Sequence, residues 1–188
     1  MKKVYLIHGW GDNTTDVTWF PWLKEELKKK DIKVISFNMP NTDEPKINEW
    51  VGYLKENINL KDLDEETYFV GHSIGCQTIM RFLEQLPKDK KVAGAIFVAG
   101  WFNLLETAYE EEGEKEIGKP WIETPINFKK VKEHTKNFLA IFSEDDPCVP
   151  VSDSELFKEK LNAKIVIRKN EGHFDETFEI PEVLEMIN

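Results

Sequence analysis

Two cysteines, Cys76 and Cys148, are the only thiols among 188 residues, too few for a disulfide framework. They form no C-x-x-C pair, so neither redox chemistry nor structural zinc is indicated, and reduced packing thiols are expected. No uninterrupted apolar run approaches the ~18 residues that a membrane-spanning helix needs. The apolar start Val4-Tyr5-Leu6-Ile7 gives way at His8, short of a secretory core and without a small-residue cleavage pattern. A soluble, cytoplasmic protein with no membrane partner is the expectation. Basic residues are outnumbered, 25 against 35 acidic, for a formal net charge of −10. Binding a phosphate backbone depends on clustered Lys and Arg, so nucleic acid is not an expected partner. The run Lys28-Lys29-Lys30 reads as a solvated helix end that suits the helix dipole. Internal repeats and low-complexity linkers are missing too, and the length fits one domain, 1–188, able to bury roughly 70% of its unfolded surface.

What the chain does hold is alternation. Short apolar or β-branched runs at Val4 to Ile7, Val34 to Phe37, Tyr68 to Val70, Val92 to Val98, Phe138 to Phe142 and Ile165 to Ile167 predict six strands. Between them apolar residues take helical spacing: Trp19, Trp22, Leu23 and Leu27; Ile47, Val51, Leu54 and Ile58; Ile79, Phe82, Leu83 and Leu86. Ser152-Asp153-Ser154-Glu155 predicts a capping box, with Val151 and Leu156 as its hydrophobic staple, and Pro181 suits the first turn of a terminal helix. Strands alternating with helices imply a mostly parallel six-stranded sheet covered on both faces, an α/β fold. Residues 100–126 fit this least, carrying Glu110-Glu111-Glu112, Glu114 and Glu116 among Gly113, Gly118, Pro120 and Pro125. They read as a solvated loop or, leaving the C-terminal end of the fourth strand, as a small lid.

Gly71-His72-Ser73-Ile74-Gly75 fits G-x-S-x-G. A strand runs directly into it and a helical pattern directly out, the context of a nucleophile elbow rather than of a plain serine N-cap. A serine hydroxyl is a weak nucleophile at neutral pH, so it needs a base, and the base needs an acid to fix its tautomer. Two later strands supply both in the right order. Phe138 to Phe142 empties into Ser143-Glu144-Asp145-Asp146-Pro147, and Ile165 to Ile167 leads to Gly172-His173-Phe174. Spacing alone leaves Glu144, Asp145 and Asp146 in competition as the acid. Among the other histidines, His134 sits among Lys129, Lys130, Lys132 and Lys136 and reads as solvated, and His72 reads as core. His8 and His72 have no metal-ligand spacing, so no metal is expected. Acyl transfer also requires two N–H donors for an oxyanion; Ile74, after the nucleophile, and Trp10, in His8-Gly9-Trp10-Gly11, are the candidates. As a dinucleotide loop that turn fails, because Thr14 stands where a third glycine belongs and Trp10 would obstruct a pyrophosphate.

Over nearly its whole length the chain resembles the compact serine hydrolases related to retinoblastoma-binding protein 9. The likeness rests on His8-Gly9-Trp10-Gly11, Gly71-His72-Ser73-Ile74-Gly75, Asp145-Asp146-Pro147-Cys148-Val149-Pro150 and Gly172-His173-Phe174 in that order. The resemblance implies a single-domain α/β-hydrolase fold without a large cap, a catalytic set of Ser73, Asp146 and His173, and cleavage of a small ester or amide with no cofactor. It is the resemblance that selects Asp146 as the acid. The family's retinoblastoma-binding segment Leu-x-Cys-x-Glu is absent, so that partner is not carried over. Trp101, Phe102 and Trp121 flank the lid segment and are candidates for a substrate pocket or for plain core. The alternative function is ligand or protein binding on a hydrolase scaffold.

Overall fold

The computed structural model describes residues 1–11, 15–109 and 112–188. Thr14, Glu110 and Glu111, singled out above, lie outside the described residues. All six predicted strands form: β1 (Lys3–Ile7), β2 (Lys33–Phe37), β3 (Thr67–His72), β4 (Gly94–Val98), β5 (Phe138–Ser143) and β6 (Lys164–Arg168). They build one sheet in the order β2-β1-β3-β4-β5-β6, and every neighbouring pair is parallel. Val92 and Ala93 stop short of β4, their amides bonded to His134 O and Thr67 O instead.

Side chains alternate across the sheet with period two and divide the core. Val4 and Leu6 of β1, Ile96 and Val98 of β4 and Leu139 and Ile141 of β5 meet α1 (Phe20–Lys29) and α7 (Pro181–Ile187) through Leu23, Leu27, Val183 and Ile187. Tyr5, Ile7, Phe69, Ala95, Phe97, Ala140 and Phe142 point the other way. There they pack with α2 (Ile47–Asn57), α3 (Ile74–Glu84), α5 (Phe128–His134) and α6 (Asp153–Leu161). The chain steps from β1 outward to β2, then returns to β3 on the other side of β1. The loops leaving β1 and β3 therefore part at a switch point, where open parallel sheets place their sites. Among the described residues, no helix is long and apolar enough to cross a membrane.

Three local expectations are corrected. The segment 100–126 is not plain loop: it holds a short 3-10 turn at Glu106–Ala108 and α4 (Glu114–Glu123), with Pro120 inside the helix. Gly118 and Pro120 are poor helix formers, but Gly118 fits against Tyr109 and Trp121 is buried, so packing overrides propensity. His134 is buried in α5, with Nδ1 bonded to Lys90 O at 2.8 Å, rather than solvated. Ser152 precedes α6 without making a side-chain cap, and Val151 stays exposed, so neither the capping box nor its staple is seen. The reason lies next door. Asp153 turns inward, where its carboxylate accepts from Phe102 N at 2.5 Å, Asn103 N at 2.8 Å and Asn103 Nδ2 at 2.7 Å.

Candidate active site

Between the last residue of β3, His72, and the first of α3, Ile74, the chain allows a single residue for the whole reversal. That residue is Ser73, at φ 51° and ψ −120°, a conformation costing a non-glycine residue of order 1–3 kcal/mol. Crowding explains both glycines of the motif. A Cβ at Gly75 would lie 2.5 Å from Ile7 O and 2.6 Å from His8 O, and one at Gly71 would lie 2.8 Å from Cys76 N. The elbow is thus pressed against the end of β1 and against its own helix. Ser73 is nearly buried, and its amide is tied to Val98 O at 2.9 Å.

The loops after β5 and β6 meet beside it. Asp146 faces His173, whose Nδ1 lies 3.0 Å from Oδ1 and 2.9 Å from Oδ2; the carboxylate accepts there, so Nδ1 carries the proton. Asp146 Oδ1 also accepts the amides of Cys148 at 2.8 Å and Val149 at 2.9 Å, which fixes the carboxylate before any substrate arrives. The two neighbouring acids do other things. Glu144 is exposed and paired with Lys169 at 3.7 Å. Asp145 Oδ1 accepts from Ser143 Oγ at 2.5 Å and from Gly172 N at 3.3 Å, and Ser143 Oγ accepts from Glu171 N, so this pair ties the acid loop to the histidine loop. The Ser143 hydroxyl, with help from the Gly172 amide, holds the Asp145 carboxyl below its ordinary pKa.

His72 does more than fill core. It is 2% exposed, and its Nε2 bonds to His173 O at 2.8 Å, so it pins the backbone of His173. The two rings lie 5.0 Å apart. Sequence reasoning missed this link, although a polar residue inside an otherwise buried elbow was the available signal. His8 is likewise locked, with Nδ1 toward Gly9 O and Nε2 accepting from Met39 N, each at 2.9 Å.

Ser73, His72 and His173 share a cavity of about 670 Å³ with Gly9, Trp10, Gly11, Trp101 and Cys148. Leu104, Ala108, Glu112, Glu114 and Ile117 form its roof. Ile74 opens α3, where the first amides have no acceptor within the helix. Of the three aromatic pocket candidates, Trp101 touches this cavity. Phe102 does not line it; its ring packs 4.6 Å from Phe157 and 5.5 Å from Phe128. Trp121 lines a separate apolar groove of about 440 Å³ with Pro45, Ile47, Ile117 and Pro120, its Nε1 donating to Pro45 O.

A parallel sheet covered on both faces, with a strained serine between strand and helix at its switch point, defines the α/β hydrolases. Within that class the chain belongs to the serine hydrolase family, whose model matches residues 4–182. The hydrolase YdeN of Bacillus subtilis is 34% identical over 179 residues, 94% of this chain and 89% of that one. Its crystal structure superposes with a TM-score of 0.87 at 30% identity, covering 100% of this chain and 97% of the other. Serine hydrolase RBBP9 of Rattus norvegicus is 25% identical over 181 residues, 96% of this chain and 89% of that one. Est1E from Butyrivibrio proteoclasticus shares the fold, with a TM-score of 0.72 at 17% identity over 99% of this chain and 85% of the other. The protein is a hydrolase enzyme, and its substrate is a small molecule.

Proposed function

We propose that the enzyme cleaves small esters or amides through an acyl-enzyme intermediate, with Ser73 as nucleophile, His173 as general base and Asp146 as the group that orients it. One observation carries the reading: His173 Nδ1 contacts both oxygens of a pre-bonded Asp146, on the cavity that also holds Ser73. With Nδ1 held, Nε2 is the nitrogen left to take the serine proton as Oγ attacks the carbonyl carbon. The carbonyl oxygen then becomes an oxyanion, for which the amides of Ile74 and Trp10 are the donors; losing one such donor costs roughly 3–4 kcal/mol of barrier. Collapse expels the alcohol or amine, protonated by His173, and water repeats the sequence to free the acid.

Charge narrows the substrate. Asp43, Glu44, Glu112, Glu114 and Asp175 line the cavity, and among the described residues no Lys or Arg does. Such a field favours neutral or cationic esters over carboxylate-bearing ones. A fluorophosphonate probe tests the whole reading: wild type is labelled rapidly and Ser73→Ala is not. A folded wild type that stays unlabelled and leaves short acyl esters intact would instead support ligand capture without turnover.

A further inference from the structure

Cys148 has no part in the reaction just described, yet its sulfur stands beside two residues that do. One donor atom each from Asp146, Cys148 and His173 lies within 4.8 Å of the others. Asp146 is buried, while Cys148 and His173 are half-buried on the cavity wall. The other thiol competes poorly. Cys76 is fully buried, donates toward Gly71 O and Val98 O, and burial pushes its pKa well above the usual thiol range.

Sulfur, imidazole and carboxylate together make a donor set suited to zinc and similar borderline-soft cations, whereas magnesium and calcium prefer oxygen alone. Zinc bonds of about 2.0–2.3 Å put neighbouring tetrahedral donors roughly 3.5 Å apart, so the cluster has up to about 1.3 Å to close. Rotation of the Cys148 side chain is the available movement. Its backbone is held at both ends, the amide on Asp146 Oδ1 and the carbonyl by Leu105 N at 2.9 Å. Three protein donors leave a fourth position toward the cavity for water.

We propose that Asp146, Cys148 and His173 form an inhibitory site for zinc or a chemically similar divalent cation. On binding, the Cys148 proton passes to solvent water and a sulfur–metal bond forms, with no change of oxidation state. The same cation takes Asp146 and His173 out of the pairing that orients proton transfer, the His173 Nδ1 proton moving to Nε2 as Nδ1 gives its lone pair to the metal, so turnover stops. The inhibition rests on the hydrolase reading; the binding does not.

Cadmium serves as the spectroscopic probe, because its bond to a thiolate adds an ultraviolet charge-transfer band. That band is expected in wild type and in Ser73→Ala, which binds the metal without turning over, and is lost in Cys148→Ser. Zinc should stop both ester hydrolysis and fluorophosphonate labelling in wild type, reversibly with chelator, while magnesium and calcium do not. Against its own metal-free rate, Cys148→Ser should need at least about 10-fold more zinc for half inhibition, since even an outer-shell partner is worth 10–100-fold in metal affinity. Absence of the cadmium band in folded Ser73→Ala, or equal zinc sensitivity of wild type and Cys148→Ser, overturns the site. A metal-free wild type without esterase activity that still shows the band refutes the hydrolase reading and leaves the site standing.

Discussion

The floor of the cavity and its roof are held by different physics. The floor is made of strand ends: Ser73 on a turn one residue long, His173 pinned by His72, and Asp146 fixed by two amides of its own loop. Each of these restraints comes from the ladder of a buried sheet or from a neighbour within a few residues of it. The roof, the described residues among 101–124, is held by buried Trp101 and Trp121 and by a few long-range polar ties. Asp153 grips the amides of Phe102 and Asn103, Leu105 N and Thr107 Oγ1 bond to Cys148 O and Pro147 O, and Arg81 of α3 donates to Trp121 O and Thr124 O. Arg81 is 3% exposed, and burial lowers its pKa to about 10. On the proposed reaction the comparison suggests a division of labour: the floor would hold the reacting groups in register, and the roof would help to set the size of what reaches them.

The sharpest way to break that division is to damage the floor without touching its shape. Asp146→Asn keeps the volume but loses the acceptor that fixes the His173 tautomer, so turnover of a short ester should fall roughly 10⁴-fold. Asp145→Asn, which loosens only the bracing between the two loops, should cost far less. Steady-state rates on both variants, with circular dichroism to establish folding, decide the matter; the reverse order would transfer the acid role to Asp145.

The roof gives a smaller effect of a different kind. Asp153→Ala leaves three donors of the 102–103 turn without their charged acceptor, a loss of about 3 kcal/mol in stability. Because Ser73, Asp146 and His173 keep their places, the proposed reaction should show KM rising more than kcat falls. Equal losses in kcat and kcat/KM would mean that the roof helps to hold the floor. Denaturant unfolding gives the first number and initial rates the second.

Legibility in the sequence follows the same line. Short apolar or β-branched runs mark each strand, as a buried parallel sheet requires, and Gly71 and Gly75 mark a turn that tolerates no Cβ, so the sheet and the elbow could be read directly. Asp146 could not be separated from Glu144 and Asp145 by spacing, because adjacent acids in a turn differ only in where the backbone aims them. The roof was opaque for a related reason: Gly118 and Pro120 signal a break, while the forces that overrule them come from Tyr109, Arg81 and Pro45, far away in the chain or outside any periodic pattern. Asp153 gave a false signal, since a capping box and a buried tether use the same residue types. The metal-donor cluster is equally silent, its third member 25 residues beyond Cys148 and on another strand's loop.

The smallest effect concerns the bracing within the floor and is read in acid. The folded pKa of Asp145 lies below its ordinary value of 3.8, first because of the Ser143 hydroxyl. A carboxyl of this sign adds stability that is fully present above the unfolded pKa and is lost as pH falls through the folded one. Ser143→Ala removes the leading cause, so its folded pKa should move back toward 3.8. The variant should therefore be slightly less stable than wild type at neutral pH, with the Asp145 share of that difference shrinking below about pH 4 as the carboxyl is protonated in both. Thermal unfolding of the two proteins from pH 7 down to the acid limit measures this. A difference that stays constant across that range would locate the contribution of Ser143 in its bond from Glu171 N rather than in the ionised Asp145.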